Sequence, residues 1–357
     1  YYSGKTVKLS GTADYEFTTD VAGMAYITSI IPGIYDIVTF WEMTGAEYKK
    51  LIKNVINLED NARVLVNASI TGQQIFKSED LAYTLNAAVL RDLMISKVYY
   101  SGTRDNMDRT YTVDSYVEIF NNADDTAYID GKYLALAESV SPAAYPAKDN
   151  PDSIYARQIC RFPGKGRDYP IAPGGCVVIA AKSARNHTLS ATNSVDLSDA
   201  DFEVKAMEGS GNPAVRMLPI VSNSTNILTF NLISGGPNAI FLFETDDDVL
   251  SWPEVYQRGK TSGERFRRIS KSVVIDAVEC LKNNVQTGPD VNTKRFQSDI
   301  DAGYACIDAV NGYNHESLER KVSRYENGRY YLVDTNNSSE DFAVRTDPTP
   351  RKYDKTK

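Results

Sequence analysis

The chain has 357 residues, of which 42% are hydrophobic and 24% are charged, and its formal net charge is −8 at pH 7. This length fits about two or three domains, and the composition excludes disorder over most of the chain. The negative charge excludes nucleic acid and anionic membrane surfaces as expected partners, because both repel an acidic protein. Tyrosine is abundant, with 23 copies against 12 phenylalanines, which favours strands and contact surfaces.

Short apolar segments separated by turn residues predict a β-domain over residues 1–92. Predicted strands cover residues 6–9, 15–18, 24–31, 35–41, 63–69 and 81–88. Alternation of apolar and polar residues is typical of half-buried strands, and glycine and proline mark the turns between them. One helix is expected at residues 46–58, with an apolar face formed by Tyr48, Leu51, Ile52, Val55 and Ile56.

A second series of strands predicts another β-domain over residues 93–345, followed by a polar tail at residues 346–357. Predicted strands cover residues 94–100, 116–120, 128–137, 177–181, 227–232, 240–244, 273–277 and 329–333. Long loops at residues 139–154 and 183–212 interrupt the series, and such loops often carry function. The predicted fold is therefore all-β, with two immunoglobulin-like β-sandwiches, the second with long loop insertions.

Residues 19–40 read TDVAGMAYITSIIPGIYDIVTF. Asp20 and Gly23 turn one hairpin, Pro32 and Gly33 turn the next, and Tyr35 enters a strand. This pattern resembles the central part of carboxypeptidase-regulatory-like, or transthyretin-like, modules. Both glycines are expected at positive φ, as such turns require. The opening strand of the module is shortened here, so that sheet edge is expected to be open or to be completed by residues outside this sequence.

Three segments of the second domain are similar to the signature of lamin-tail-like domains. They are residues 116–139, residues 170–183 and residues 319–344, the last with Asn327 and Gly328 as a hairpin turn. The pairing of both modules resembles a domain-of-unknown-function family of exported lipoproteins from Bacteroides-type gut bacteria. The resemblance implies the outer-membrane surface or the periplasm of a Gram-negative bacterium. It also implies membrane attachment only through a lipidated cysteine upstream of Tyr1, and no established activity.

The sequence shows no motif that establishes an enzyme. His315 lies in the sequence HESLE, which lacks the second histidine of a helical zinc motif, and it is expected in an exposed turn. His187 is expected to be a solvated loop residue. The glycine-containing residues 209–214 lack the flanking strand and helix of a dinucleotide site. A deep polar pocket that unites either histidine with two carboxylates would favour an enzyme instead.

Two groups of residues are candidates for ligand binding. Exposed aromatic rings stack on the apolar faces of sugars, and the candidates for such a glycan platform are Tyr145, Tyr155, Tyr169 and Trp252. A calcium site is a second hypothesis, with carboxylate ligands from Asp246, Asp247 and Asp248. The alternative for these aspartates is a solvated strand end, and no other cofactor is expected.

Two further groups are expected to be structural. The four cysteines either form disulfides in an exported protein or remain small buried thiols, and they are Cys160, Cys176, Cys280 and Cys306. A short basic run is expected to form a solvated loop or strand face, and it comprises Arg265, Arg267, Arg268 and Lys271.

The sequence therefore predicts a non-enzymatic cell-surface or periplasmic binding or adhesion protein. Its ligand is expected to be a glycan or an envelope protein that contacts the long loops of the second domain. The alternative is an accessory subunit of a polysaccharide or peptide capture complex, which would engage its partner through an open sheet edge or through loops. A hydrolase with an unrecognised site is the third hypothesis.

Overall fold

The computed structural model describes residues 2–52 and 58–354, and 37% of these residues are in strands against 7% in helices. The predicted all-β fold is confirmed. None of the helices that the described residues form has the length and apolar character needed to cross a membrane. The described residues of the polar tail, 346–354, form no regular secondary structure.

The N-terminal part of the chain forms an antiparallel sheet of five strands. Its elements are β1 (Thr6–Gly11), β2 (Tyr15–Thr18), β3 (Gly33–Thr44), α1 (Gly45–Leu51), β4 (Arg63–Ile75) and β5 (Asn86–Val89). The strand order is β2-β1-β3-β4-β5, so that β2 and β5 are the edges. The long β3–β4 pair, which runs from Gly33 opposite Ile75 to Thr44 opposite Arg63, forms the centre of this sheet.

Local chemistry explains where β3 begins and ends. A Cβ atom at Gly33 would lie 2.0 Å from the Thr12 hydroxyl oxygen, so this position requires glycine for space. The predicted positive φ of Gly33 is wrong. The positive φ of Gly23, 78°, is confirmed. At the other end, the Thr44 side chain caps α1 and forms a capping box with Glu47. The predicted helix reached residue 58, but residues 53–57, including Val55 and Ile56, lie outside the described residues.

In this region one predicted strand is absent and another is present only in part. Residues 24–31 do not form a strand, and of the strand predicted at residues 81–88 only β5, beginning at Asn86, is present. Residues 24–31 and 81–85 follow the strand pattern, but neither segment is paired with the sheet. They instead run over one face of it, as described below.

The opposite face of the five-stranded sheet packs against the rest of the protein. Leu65 and Asn67 lie on this face and are buried. The Asn67 side-chain amide donates a hydrogen bond to the Thr335 carbonyl at 3.0 Å, and the Asn86 amide donates to the Ser298 hydroxyl at 3.4 Å. The body of the molecule therefore supports only one of the two faces of this sheet.

The remainder of the chain supplies many short strands and a second α-helix. The elements are β6 (Leu93–Tyr99), β7 (Thr103–Arg104), β8 (Thr110–Tyr111), β9 (Tyr116–Asn121), β10 (Ala127–Tyr128), β11 (Tyr133–Ala137), β12 (Ser153–Arg161), β13 (Pro170–Ile171), β14 (Cys176–Ala180), β15 (Phe202–Glu203), β16 (Arg216–Met217), β17 (Ile220–Asn223), β18 (Asn238–Phe243), β19 (Glu254–Tyr256), β20 (Arg265–Ser270), β21 (Val274–Cys280), β22 (Ser317–Arg320), β23 (Val322–Glu326), β24 (Arg329–Leu332), α2 (Ser338–Asp341) and β25 (Phe342–Arg345).

Two seven-stranded sheets share one hydrophobic core. One has the order β16-β15-β14-β9-β6-β22-β25, and the other has the order β19-β20-β12-β11-β18-β21, with β17 also paired to β12. Side chains from both sheets meet in this core, among them Ile95, Val117, Ile179, Leu134, Leu136, Ile240 and Leu242. The structure thus contains two facing sheets, while the number of sandwiches and the domain boundaries remain predictions.

A buried arginine joins the two facing sheets. Nη2 of Arg320, on β22, lies 3.1 Å and 3.0 Å from the two carboxylate oxygens of Asp276, on β21. Its Nη1 donates to Asp341 at 2.8 Å and to Asp334 at 3.2 Å. Burial opposes the charge of Arg320, but the surrounding carboxylates outweigh it and raise the pKa of the guanidinium.

Three further predictions differ from the structure. The predicted strand at residues 227–232 is wrong, because Phe230 and Leu232 enter the core from an irregular segment. The predicted strand at residues 128–137 is interrupted at Gly131, where φ is 73°. In the basic run, Arg267 is buried and paired with Glu254 at 2.6 Å, so the run is not uniformly solvated. The Asn327–Gly328 turn of the β23–β24 hairpin is confirmed.

Candidate functional site

The structure brings together two of the four aromatic residues predicted to bind a ligand. Tyr145 and Tyr155 stack with ring centroids 3.8 Å apart and an interplanar angle of 12°. The Tyr145 hydroxyl donates to the Tyr256 carbonyl, and the Arg258 guanidinium lies 5.3 Å from the centroid of the Tyr145 ring. These contacts within the chain already occupy much of the Tyr145 side chain, so the pair packs the loops together.

Tyr169 and Trp252 lie elsewhere and pack against the protein. Tyr169 is tilted against Phe202, with centroids 5.3 Å apart, and Trp252 is tilted against Phe243 at 6.2 Å. Both residues are half-buried. The four predicted residues therefore do not form one platform.

The acidic run predicted as a calcium site lies at an exposed strand end. Asp246, Asp247 and Asp248 are exposed, and one Asp248 carboxylate oxygen accepts a hydrogen bond from the Leu250 N–H at 3.0 Å. No group of three or more His, Cys, Asp or Glu side chains among residues 2–52 and 58–354 is arranged to hold a metal ion. The calcium site thus remains a prediction from sequence.

His187 is buried, so its predicted position as a solvated loop residue is wrong. Its Nδ1 lies 2.7 Å from the Tyr111 hydroxyl and its Nε2 lies 2.8 Å from the Ser183 carbonyl. A carbonyl can only accept, so Nε2 carries the proton and Nδ1 accepts from Tyr111. Burial lowers the pKa of His187, and the side chain therefore fixes this loop as a neutral hydrogen-bonding group.

His315 lines a small polar pocket with a volume of about 270 Å³. The same pocket is lined by Ser194, Asp196, Asp199, Asp347 and Arg351. His315 Nδ1 lies 3.4 Å from the Tyr99 hydroxyl, which donates to Asp114 at 2.9 Å. The Ser194 hydroxyl also donates to Asp114, at 2.6 Å, and not to the histidine. The pocket unites a histidine with carboxylates but does not place a serine nucleophile against its base.

All four cysteines are free thiols in the structure. Cys160 and Cys280 are buried, whereas Cys176 and Cys306 are half-buried. Burial raises the pKa of Cys176 to about 12 and that of Cys306 to about 11. Thiols with such pKa values are poor nucleophiles at neutral pH, which places the cysteines in a packing role.

A large cavity lies on the outer face of the N-terminal sheet and has a volume of about 890 Å³. We call it the N-terminal cleft. Strand alternation and register place a row of mainly apolar side chains on its floor, and the row comprises Val7, Leu9, Ile37, Thr39 and Ala68. Ligand sites of proteins are typically concave and mostly apolar with a few polar groups, and this cleft has those properties.

Two irregular segments form the walls of the N-terminal cleft. One wall is formed by residues 23–30 and the other by residues 75–83. Large apolar side chains on both walls remain exposed, including Tyr26 at 69% and Phe76 at 63%. Lys77, Glu79 and Asp80 place charges on the second wall. Exposed apolar residues grouped around a concave surface mark an interaction site more often than scattered ones do.

The first wall is anchored at both ends. The Asp20 carboxylate accepts hydrogen bonds from the N–H groups of Ala22 at 2.8 Å and Met24 at 3.0 Å. At the other end, the Ile31 N–H donates to the Tyr15 hydroxyl at 2.9 Å, and the Tyr35 hydroxyl donates to the Ile31 carbonyl at 2.5 Å. The wall is therefore held over the sheet without being part of it.

Between these anchors the backbone is unpaired. The N–H and C=O groups of residues 25–30 form no hydrogen bond with any other described residue. Sequence reasoning did not identify this cleft as a site. The available signal was the strand pattern of residues 24–31, which does not tell whether a strand partner is present.

Comparisons with known proteins indicate a relation to a protein family, but they indicate no activity. Residues 172–349 match a family model described as a protein of unknown function, DUF4876. Among solved structures, the chain is similar to a DUF4876 family protein from Bacteroides thetaiotaomicron VPI-5482, with 24% sequence identity and a TM-score of 0.65. That similarity covers 99% of this chain and 93% of the other. No curated protein matches the chain. Both comparisons support the prediction that this chain is related to a family of unknown function with a member in Bacteroides.

Proposed function

We propose that this chain is a non-enzymatic binding protein whose ligand occupies the N-terminal cleft. The observation that carries the proposal is an apolar floor below two walls with exposed apolar side chains. Removing such surface from water stabilises a complex by about 25 cal/mol per Å² of apolar area. The cleft is also within the usual range for ligand sites, roughly 300–1,000 Å³.

The proposed location is the outer-membrane surface or the periplasm of a Gram-negative bacterium, with attachment through a lipid anchor upstream of Tyr1. The resemblance of the sequence to a family of exported Bacteroides-type lipoproteins motivates this part of the proposal. The resemblance to carboxypeptidase-regulatory-like and lamin-tail-like modules supports a binding or scaffolding role.

The N-terminal cleft is favoured over the long loops as the contact surface. Tyr145 and Tyr155 stack on each other, and Tyr169 and Trp252 pack against separate phenylalanines. The walls of the cleft, in contrast, present large apolar side chains to solvent. An accessory subunit that captures a polypeptide partner is the second candidate function, because unpaired backbone lines the cleft.

Titration with Nile red, a neutral dye that fluoresces in apolar surroundings, tests whether the cleft binds an apolar ligand. The variants Ile27→Asp and Leu81→Asp place a charge on each wall at partly exposed positions, so the fold is expected to persist. The matched control is Leu189→Asp, at a position that is 81% exposed and does not line the cleft.

We expect at least about tenfold weaker dye binding in both wall variants and unchanged binding in the control, since a charge in an apolar site opposes binding. Thermal unfolding must show that all variants are folded. Absence of dye binding in the native protein, or equal binding by all variants, would contradict the proposed function.

A further inference from the structure

We propose that the ligand of the N-terminal cleft is an extended polypeptide segment that pairs as a β-strand with the backbone of residues 25–30. This inference rests on the proposed function and names the class of ligand. The bound segment would place every second side chain on the apolar floor of the cleft. It would thereby complete a second layer over the five-stranded sheet.

The unpaired backbone of residues 25–30 is the first argument. Buried backbone N–H and C=O groups in folded proteins are almost always paired, whereas those of residues 25–30 lie in a mostly exposed segment and bond no other described residue. The same groups lie on a wall of the cleft. Any ligand that covers them must either supply hydrogen bonds or leave them buried without partners.

This requirement selects the class of ligand. A hydrocarbon chain or a flat aromatic molecule can cover the floor but cannot bond the backbone donors and acceptors of the wall. An extended polypeptide presents N–H and C=O groups in alternation, at about 3.3 Å per residue. Main-chain hydrogen bonds then supply affinity, and alternate side chains supply specificity, as in other cases of strand addition.

The sequence of the wall is the second argument. Residues 25–30 read AYITSI, which is rich in the β-branched and aromatic residues that favour strands. The segment nevertheless forms no strand. Local preference and observed structure therefore disagree, and a partner strand would remove the disagreement.

The anchors of the wall are the third argument. Asp20 fixes one end of the segment, and Tyr15 and Tyr35 fix Ile31 at the other. A segment held at both ends loses less conformational freedom on binding than a free loop does. The wall is thus prepared for a partner although its own backbone is unpaired.

The charges on the second wall indicate which polar residues the partner segment carries. Glu79 and Asp80 outnumber Lys77 there, which leaves one net negative charge at this edge. Strands that cover a core alternate apolar and polar residues. The expected partner segment therefore alternates apolar residues with residues that include lysine or arginine.

The test uses fluorescein-labelled ten-residue peptides that alternate Val, Ile or Phe with Lys or Ser. Each peptide has two analogues, one N-methylated at its odd-numbered residues and the other at its even-numbered residues. N-methylation removes backbone donors and keeps the side chains. We expect at least one peptide to displace Nile red from the full chain, and one of its two analogues to bind at least about tenfold more weakly.

A proline variant tests the protein side of the same pairing. Thr28→Pro removes one backbone donor from the centre of the wall at an exposed position, and Thr261→Pro is the matched control in an exposed loop. We expect Thr28→Pro to lose peptide binding while Nile red binding persists, and the control to retain both.

The outcomes separate the two proposals. If the N-methylated analogues bind as well as their parents, or if Nile red binds and no peptide does, strand pairing is wrong while the proposed function stands. If neither dye nor peptide binds the native protein, both are wrong.

Discussion

The backbone N–H of Ile31 donates to the hydroxyl of Tyr15 at 2.9 Å, so a side chain of the sheet holds one end of the cleft wall. Tyr35 holds the Ile31 carbonyl in the same way. The two tyrosine rings contact each other, with centroids 6.0 Å apart. The position of the wall above the sheet therefore depends on a few hydrogen bonds and not on strand pairing.

Replacing Tyr35 with phenylalanine should loosen the wall. Tyr35→Phe keeps the buried ring and removes the bond to Ile31, which is worth roughly 1 kcal/mol. We expect faster exchange of the Ile31 amide, which donates to the Tyr15 hydroxyl in the native protein, and weaker Nile red binding, by about two- to tenfold. Tyr256→Phe is the control, since Tyr256 is exposed and its ring lies outside the cleft. Unchanged exchange in Tyr35→Phe would show that the anchor is not needed.

Removal of Arg320 should strongly destabilise the fold. Arg320→Met leaves the carboxylates of Asp276, Asp334 and Asp341 buried without their cation. Breaking such a pair from one side typically costs about 3–5 kcal/mol. Urea unfolding is the measurement, and Arg324→Met, at an arginine that is 58% exposed, is the control with an expected loss below about 1 kcal/mol. Equal losses in the two variants would contradict the role of Arg320.

The buried His187 should contribute a pH-dependent part of the stability. Its pKa is lowered by burial from the ordinary value of 6.5, so the folded state favours the neutral ring. This contribution is present above pH 6.5 and is lost as the pH falls through the folded-state pKa, because the unfolded chain binds the proton more readily.

Comparison with His187→Gln isolates the effect. Glutamine can still donate to the Ser183 carbonyl but does not titrate. Asp114, Asp196 and Arg185 are the charged groups that act on His187, and all three are present in both proteins. We expect the stability advantage of the native protein over the variant to shrink between pH 7.5 and pH 5. A difference in stability that stays constant over this pH range would show that His187 does not contribute a pH-dependent part of the stability.

The four cysteines should all be reactive thiols once the chain is unfolded. The structure has no disulfide among its described residues, so denaturation without reductant should expose Cys160, Cys176, Cys280 and Cys306 to a thiol reagent. In the native protein, Cys160 and Cys280 should react most slowly, because they are buried. Mass spectrometry after alkylation counts the modified residues, and fewer than four in the unfolded chain would reveal a disulfide.

Local patterns predicted much of the β structure. The Asn327–Gly328 turn was predicted because two adjacent residues that tolerate positive φ specify a tight hairpin. Strands β9, β14 and β18 were predicted from short apolar runs. These features depend on neighbours in sequence, and so a single sequence carries them.

Other features depend on contacts that are distant in sequence. Residues 24–31 have a strand pattern, but whether they pair depends on a partner that the pattern does not encode. His187 sits among polar residues, yet the fold buries it against Tyr111. The segment with Phe230 and Leu232 is apolar because it fills the core, and its hydrogen bonds follow no strand. The N-terminal cleft arises from the combination of such features and could not be predicted.

Amide hydrogen exchange at residues 25–30, with and without a saturating bound peptide, tests strand pairing in the cleft most directly. The free protein should exchange these amides rapidly, since none of them bonds to another described residue. Binding should slow alternate amides by at least about tenfold, as strand pairing does. Amides that are already protected in the free protein, or that exchange equally fast at saturation, would contradict the account.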